Sequence, residues 1–242
     1  MQVSLIVFIS TIMGFLFPFL SRRPSKFMPA DAATAAVMFC HLPRFPRGIN
    51  KNHKKRFKKL WFDLIKGSIL CGAVCGLITF FFMFKMPFYQ GIFISLLCLI
   101  MVFMALIDAR FQIIPDFFTV PLLIMGIAFA NFDSYVDVND SILGALFGYG
   151  APTLAGVLIS WRTKRAIGGG DVKLLAALGA WFGIIGLNFI VFVSVLLFGF
   201  YSFLTKQKYL PYGPFAAIAV IGTAIMQFGF DIIPLEFILA TK

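Results

Sequence analysis

Two aspartates are the side chains of this chain that could carry out chemistry. Asp108 ends an apolar run, in LIMVFMALIDARF, and Asp171 follows three glycines, in AIGGGDVKLLAAL. A carboxylate beside such apolar sequence is costly, so a partner and a function are expected for it. Two carboxylates brought together share one proton, so that the charged one activates a water and the protonated one polarises a carbonyl. The pair therefore predicts hydrolysis of a peptide bond.

Simpler structural interpretations exist for the acids. Asp108 would pair with Arg110 on a solvated turn, although an acid at a helix C-terminus opposes the helix dipole. Asp171 would act as the N-cap of the helix that follows it. Asp116 follows Pro115 and precedes a further apolar run, so an N-cap is its favoured interpretation, with a supporting role beside the catalytic acids left open.

The three glycines before Asp171 favour the chemical interpretation. Gly168, Gly169 and Gly170 let the backbone adopt positive φ and approach another chain closely. Binding of an extended peptide requires such an approach, with backbone groups free to bond to it. The spacing does not match a phosphate-binding loop, so the glycines are predicted to line a substrate site.

Other kinds of catalytic or metal site have little support in the sequence. His41 and His53 both lie in a basic stretch, no serine lies in a nucleophile elbow, and no HExxH zinc motif occurs. Cys71 and Cys75 are four residues apart in an apolar run, where a buried small residue is favoured over a metal ligand. The sequence therefore predicts no metal site.

The composition indicates an all-α, polytopic membrane protein. Hydrophobic residues make up 60% of the 242, with 32 Phe, whereas soluble domains average about 45–50%. Continuous apolar runs predict about eight transmembrane helices and argue against a β-barrel. The first run reads as a retained helix rather than a signal peptide. The predicted spans are 3–20, 67–84, 88–107, 117–132, 141–161, 172–187, 188–204 and 214–231.

The basic residues predict the orientation of these helices. The net charge is +11, and 19 of the 21 Lys and Arg fall in alternate connecting segments. The positive-inside rule then places both termini outside the cytoplasm. With this topology Asp108 and Asp171 both lie at the cytoplasmic edge. The basic segments are 21–66, 108–116, 162–173 and 205–213.

The sequence divides into a first transmembrane helix, 1–20, a basic loop, 21–66, and a membrane-embedded unit, 67–242. The basic loop is predicted to lie in the cytoplasm on anionic lipid, or to contact an acidic partner or the polar part of a substrate. Nucleic acid is disfavoured as a partner because the loop has no interleaved aromatic residues.

Three stretches resemble the bacterial type IV prepilin peptidases, which are intramembrane aspartyl proteases. GGGDVKLLAALGAWFG, from Gly168, fits their GxGD motif; IDARFQIIPDFFTVPLL, from Ile107, resembles the segment with their first catalytic Asp; and LPYGPFAA, from Leu210, resembles the turn before their last helix. The resemblance implies an eight-helix inner-membrane protease with Asp108 and Asp171 as its catalytic pair. Its substrates would be type IV prepilins or pseudopilins, cut after a Gly on the cytoplasmic face to remove a basic leader.

One departure from the family concerns its second activity. Many members carry two CxxC pairs that bind zinc, and they methylate the new N-terminus with S-adenosylmethionine. The matching region here has one cysteine, Cys40, so that zinc site cannot be built. Proteolysis is predicted to need no cofactor, and methylation is left open, as are the particular pilin and the oligomeric state.

Two other functions are alternatives for the same sequence. A secondary transporter would use the two carboxylates for protons or cations, but would place them near the midplane within inverted repeats. No internal repeat is visible, and the acids are predicted at the membrane edge. A structural membrane subunit of a secretion machine would explain the apolar composition, but not two acids at one depth.

Overall fold

The chain is a bundle of helices. A computed structural model describes residues 2–21, 51–132, 136–163, 168–206 and 210–230, and every regular element within those ranges is helical. The prediction of an all-α fold is confirmed. The described residues form seven α-helices: α1 (Gln2–Leu20), α2 (Lys51–Lys85), α3 (Phe88–Phe111), α4 (Asp116–Phe132), α5 (Val138–Thr163), α6 (Gly169–Thr205) and α7 (Gly213–Ala224). A π-helical turn, Ile225–Gly229, continues α7.

Five of the described helices are long and apolar enough to cross a membrane. They comprise α1, Leu64–Lys85 of α2, α3, Val138–Trp161 of α5, and α6. Two shorter apolar helices, Asp116–Phe132 and Gly213–Gly229, complete the bundle. Many large apolar side chains remain exposed, among them Trp161 and Phe203 at 83% and 81%. This surface fits a lipid environment, and the chain is a multi-pass membrane protein.

A break at Gly183 divides α6 into two helical segments. Gly183 has φ 67° and ψ −175°, a backbone conformation that favours glycine. Without a break, the 37 residues of α6 would extend about 55 Å, well beyond a hydrocarbon core of about 30 Å. The second segment returns towards the start of the first, as its contact with Tyr212 shows below. Counting both segments, the described chain has a helix for each of the eight predicted apolar runs.

The prediction of a loop up to residue 66 is wrong for its last part. Helix α2 already begins at Lys51, well before the predicted start of the span at residue 67. The stretch 51–66 has neither Gly nor Pro and is rich in Lys, which forms helices well, so the helix extends past the apolar run. Most of the basic segment, together with Cys40 and His41, lies outside the described residues, as does the side chain of His53.

Close backbone packing joins α5 to the first segment of α6. A Cβ on Gly179 would collide with the backbone of Gly144, and a Cβ on Gly144 would collide with the carbonyl oxygen of Gly179. The hydroxyl of Ser141 donates to the carbonyl of Ala180 across the same interface at 2.7 Å. Small residues thus let the two helices approach until their backbones touch, as in many membrane helix pairs.

The core lies around Trp181, which is fully buried in the first segment of α6. Its indole Nε1 donates to the carbonyl oxygen of Leu122 in α4 at 2.8 Å, and its ring stacks on Phe129 of α4 with centroids 5.2 Å apart. These contacts fix α6 against α4. The start of α6 is therefore held beside the start of α4.

The cysteines of the described chain lie where α1, α2 and α3 meet. Cys75 and Cys98 are fully buried, as expected for small apolar side chains, whereas Cys71 is partly exposed. A Cβ on Gly14 of α1 would collide with Cys75, so α1 packs closely on α2. Helix α3, which packs in this part of the bundle, contains Asp108 near its C-terminal end.

Candidate active site

Asp108 lies in the last turn of α3 and is 5% exposed. Its Oδ2 accepts a 2.6 Å hydrogen bond from the backbone N–H of Gly213. Its carbonyl oxygen accepts the N–H of Gln112, which ends the helix in a left-handed conformation with φ 55°. Asp108 is therefore held through its carboxyl group by Gly213 and through its backbone carbonyl by Gln112. The alternative of an acid on a solvated turn is wrong, because the side chain is buried.

Gly213 is the first residue of α7, and Pro214 follows it in the first turn, where proline fits well. The N–H groups of a first helical turn have no partner within the helix, so one of them is available to Asp108. A Cβ on Gly213 would lie 2.8 Å from Cβ of Asp108 and 2.9 Å from its Oδ2. Only glycine lets α7 begin this close to the carboxyl group.

Asp171 lies in the first turn of α6, which begins at Gly169 and has Gly168 as its N-cap. The interpretation of Asp171 as the N-cap is therefore wrong. Its backbone N–H bonds to the carbonyl of Gly168 at 3.1 Å, and its side chain folds back towards that residue. The carboxyl group is half-buried and interacts electrostatically with that of Asp108.

The predicted positive φ of the glycines before Asp171 is also wrong. Gly168 has φ −60°, and Gly169 and Gly170 are helical. What the site uses is their lack of a Cβ. A Cβ on Gly170 would lie 3.0 Å from both Cβ and the carbonyl oxygen of Ile114, whereas one on Gly169 would meet nothing within 4 Å. Gly170 lets α6 pack on the turn that follows Asp108, and Gly169 leaves open space.

One pocket of about 360 Å³ contains both aspartates. Residues from three parts of the chain form its wall: the end of α3 and the turn after it, the start of α6, and the segment before α7. The structure thus brings Asp108 and Asp171 together, as the spacing of the spans predicted. The lining residues are Asp108, Gln112–Ile114, Gly168–Asp171 and Leu210–Tyr212.

A second cavity of about 300 Å³ lies between α5 and the start of α6, and Gly169 lines both cavities. Its α5 side is formed by side chains three or four residues apart, including Thr153, Val157 and Ser160. Because Gly169 has no side chain, the two cavities adjoin across bare backbone. A polypeptide lying over Gly169 would extend from one cavity into the other.

Tyr212 contributes the aromatic part of the wall. Its hydroxyl lies 2.6 Å from Oγ of Ser194, in the second segment of α6. Ser194 donates its single proton to the carbonyl of Val191, so Tyr212 is the donor of this bond. Burial raises the pKa of Tyr212, the bond to Ser194 opposes that rise, and the field of Asp171 adds to it. The contact also shows that α6 folds back after Gly183.

Asp116 is the first residue of α4, and its carboxylate forms an ion pair with Nζ of Lys173. The preferred interpretation of Asp116 as an N-cap is therefore wrong, because the residue stands inside the helix and its side chain is directed to α6. Both side chains are about half exposed, at 57% and 44%. Asp116 does not line the pocket formed around Asp108 and Asp171.

Arg110, two residues beyond Asp108, binds the end of α1. Its guanidinium donates to the carbonyl of Pro18 at 2.9 Å and to the hydroxyl of Ser21, which is fully buried. A cation at the C-terminus of a helix also complements the helix dipole. The structure therefore directs Arg110 towards α1, unlike the solvated pair with Asp108 that was the structural alternative to a functional role for Asp108.

Three residues of the site were missed by reasoning from the sequence: Tyr212, Gly213 and Lys173. The proline–glycine turn from Leu210 was noticed only as a resemblance, although Pro at the first turn is a local signal for a helix start. Nothing local connects Gly213 to a residue 105 positions away. Among the described residues, no three His, Cys, Asp or Glu come together as a metal site.

Comparison with known proteins finds a family whose model matches part of this chain. The type IV leader peptidase family matches residues 95–203, a range that contains both aspartates and the whole of the glycine-rich start of α6. The matched segment, a little under half of the 242 residues, is similar to that family.

Several curated proteins that are similar to this chain are named prepilin leader peptidase/N-methyltransferase. The protein of Dickeya chrysanthemi is 38% identical over 52% of this chain and 47% of its own length. That of Neisseria gonorrhoeae is 34% identical over 54% and 45%, and that of Escherichia coli strain K12 is 34% identical over 60% and 63%. The chain thus spans about half to two thirds of the length of these relatives. No solved structure matches it.

The leader peptidase match ends before two of the contacts that shape the pocket. Tyr212 and Gly213 both follow residue 203, and Pro18 and Ser21, which bind Arg110, precede residue 95. The matched segment contains Asp108 and Asp171. The amide that holds Asp108 belongs to Gly213, which lies beyond the end of that segment.

Proposed function

We propose that this chain is a membrane aspartyl endopeptidase that removes the leader peptide from type IV prepilins or pseudopilins. The observation that carries the proposal is the presence of Asp108 and Asp171 in one pocket, on helices that the sequence separates by two other apolar helices. The family match and the printed names of the relatives support the substrate class.

The two carboxyl groups would act as a pair that shares one proton. The charged group accepts a proton from water, and the resulting hydroxide attacks the scissile carbonyl carbon. The protonated group donates a hydrogen bond to the carbonyl oxygen. When the tetrahedral intermediate collapses, the C–N bond breaks, the leaving amine takes up a proton, and a new carboxyl group remains. Every step uses side chains of this chain and one water.

The bare backbone of Gly168–Gly170 would hold the substrate beside these acids. The first N–H groups of α6 have no partners within the helix, so they could donate to carbonyl oxygens of an extended peptide. The open space at Gly169 gives that peptide room. We place the peptidase unit at residues 67–242, behind a first helix at 1–20 and a basic segment at 21–66.

The proposed location is the bacterial inner membrane, with the pocket at the cytoplasmic face. The distribution of Lys and Arg supports this orientation, since 19 of 21 fall in the segments assigned to the cytoplasm. The basic segment would bind anionic lipid headgroups, and its helical part, from Lys51, would carry that charge to the membrane surface.

The decisive experiment is mass spectrometry of a co-expressed prepilin. Cleavage after the Gly at the end of the leader is expected with the unmodified protein and is expected to disappear with Asp108→Asn or Asp171→Asn. Asp140→Asn, an exposed acid at the start of α5, is the matched control and should cleave normally. Cleavage by purified Asp171→Ala protein would disprove the mechanism.

The same spectra report on methylation of the new N-terminus. The relatives are named for both activities, but the cysteines expected to bind zinc are lacking in residues 21–66. S-Adenosylmethionine would be needed for that second step alone. A product heavier by one methyl group would add methyltransferase activity to the proposal. A product with an unmodified N-terminal amine would limit the proposal to proteolysis.

A further inference from the structure

The ion pair between Lys173 and Asp116 joins the two segments that carry the acids. Lys173 is two residues beyond Asp171 in α6, and Asp116 begins α4, eight residues beyond Asp108. The turn between Asp108 and Asp116 is held at its start by the N–H of Gln112, which bonds to the carbonyl of Asp108 at 2.9 Å. A change in the position of Asp116 would therefore be passed to Asp108 through a short and constrained link.

Two contacts join these segments on one face of α6, because Gly170 and Lys173 are three residues apart on the helix. A Cβ on Gly170 would lie 3.0 Å from both Cβ and the carbonyl oxygen of Ile114, closer than ordinary packing. One turn further along, the ammonium of Lys173 binds the carboxylate of Asp116. Residues two apart on a helix do not face each other, so the Lys173 side chain is directed away from that of Asp171. Lys173 therefore acts on the position of the helix and not on the reacting atoms.

We infer that Lys173 and Asp116 are positioning residues, whose ion pair holds the start of α6 against the turn after α3 so that the two catalytic carboxyl groups stay within one pocket. This inference rests on the proposed peptidase function. Because the pair is half exposed, it contributes little to the folding free energy. Small displacements of catalytic groups nevertheless cost much in rate, so the pair can matter to catalysis without mattering to folding.

The test is a charge exchange in the full-length protein, purified in detergent and assayed on a prepilin. Lys173→Gln and Asp116→Asn should each lower kcat by about fivefold to tenfold, with KM changed less than about twofold. The exchanged double variant, Lys173→Asp with Asp116→Lys, should recover most of the lost kcat. Lys85→Gln and Asp140→Asn remove single charges elsewhere on exposed positions and should leave kcat unchanged.

Conservative variants keep the test decisive if the exchanged protein does not fold. Lys173→Arg and Asp116→Glu preserve the charges and should retain kcat within about twofold, and thermal unfolding should show little difference among all the single variants. High salt should lower kcat of the unmodified protein more than that of Lys173→Gln, because salt screens an exposed pair.

Three results would overturn the inference. They are single neutralisations that leave kcat unchanged, an effect confined to KM, and a folded exchange variant no better than the single variants. An unmodified protein that cleaves no prepilin would instead refute the proposed function. The experiment therefore distinguishes failure of the positioning role of the ion pair from failure of the proposed peptidase function.

Discussion

The backbone N–H of Gly213 donates a 2.6 Å hydrogen bond to Oδ2 of Asp108, joining residues 105 positions apart in sequence. The bond lies in the buried interior and fixes one oxygen of the carboxyl group. Since a Cβ at Gly213 would lie 2.8 Å from that of Asp108, the start of α7 and the end of α3 have no room for a side chain between them. The orientation of Asp108 therefore depends on a glycine outside the matched family segment.

The first prediction is that Gly213→Ala abolishes or strongly impairs prepilin cleavage while the protein still folds. The added methyl group displaces α7 or Asp108 and breaks the bond, and an ångström of displacement costs about 100-fold in rate. Cleavage kinetics measure the effect. The control is Gly222→Ala in the same helix, where a Cβ meets nothing within 4 Å. Equal activity of the two variants would contradict the role given to Gly213.

The second prediction separates two adjacent glycines of the glycine-rich start of α6. Gly170→Ala should lower the rate of cleavage about tenfold or more, because its Cβ presses on Ile114 and moves the helix that carries Asp171. Gly169→Ala should leave kcat near the unmodified value and act mainly on KM, since its Cβ displaces no protein atom and enters the open space proposed for the substrate. Both substitutions favour the helix equally, so propensity does not distinguish them. A reversed order of rates would refute the packing argument.

The third prediction concerns stability rather than catalysis. Gly179→Ala should lower the free energy of unfolding by about 1–3 kcal/mol, because the new methyl group forces α6 away from the backbone of Gly144. Gly150→Ala in α5 has free space around it and should be neutral or slightly stabilising. Thermal or denaturant unfolding in detergent compares the two. If they unfold alike, the helices do not pack as closely as described.

The fourth prediction uses the buried hydroxyl of Tyr212. Tyr212→Phe removes its bond to Ser194 and should cost about 1 kcal/mol of stability near neutral pH. Burial raises the pKa of Tyr212 above its usual value of 10, so the unfolded chain loses this proton first. Its contribution is therefore complete below pH 10 and declines as the pH rises towards the folded value.

Unfolding measured across that pH range tests the assignment. The unmodified protein should lose more stability above pH 10 than Tyr212→Phe does, because the variant has no proton to lose at this position. Parallel pH profiles of the two proteins would show that the hydroxyl is not buried as described.

The sequence predicted the parts of the fold that follow from local pattern. Continuous apolar runs predict helices because every backbone group in lipid needs an internal partner, and the described chain has a helix for each run. The even number of runs between the two aspartates placed them at one end of the bundle, and the structure finds them in one pocket. Their catalytic role stays a prediction.

The errors concern features that depend on contacts distant in sequence. The sequence interpretation of the GGGD glycines used backbone freedom, but at Gly170 the relevant property is the close approach of Ile114, which would lie 3.0 Å from a Cβ. Asp116 was interpreted as a cap, but a lysine 57 positions away takes its carboxylate. Propensity and capping rules describe only neighbouring residues, so neither contact was visible in the pattern.

The bonds from Arg110 to Pro18 and Ser21 bear on how far the protein can be trimmed. A fragment reduced to the family segment would remove these two oxygens from the guanidinium, and at the other end would take away the amide that holds Asp108. The shortest fragment expected to retain activity therefore runs from the first helix through the last. Expressing residues 95–203 alone should yield an inert polypeptide.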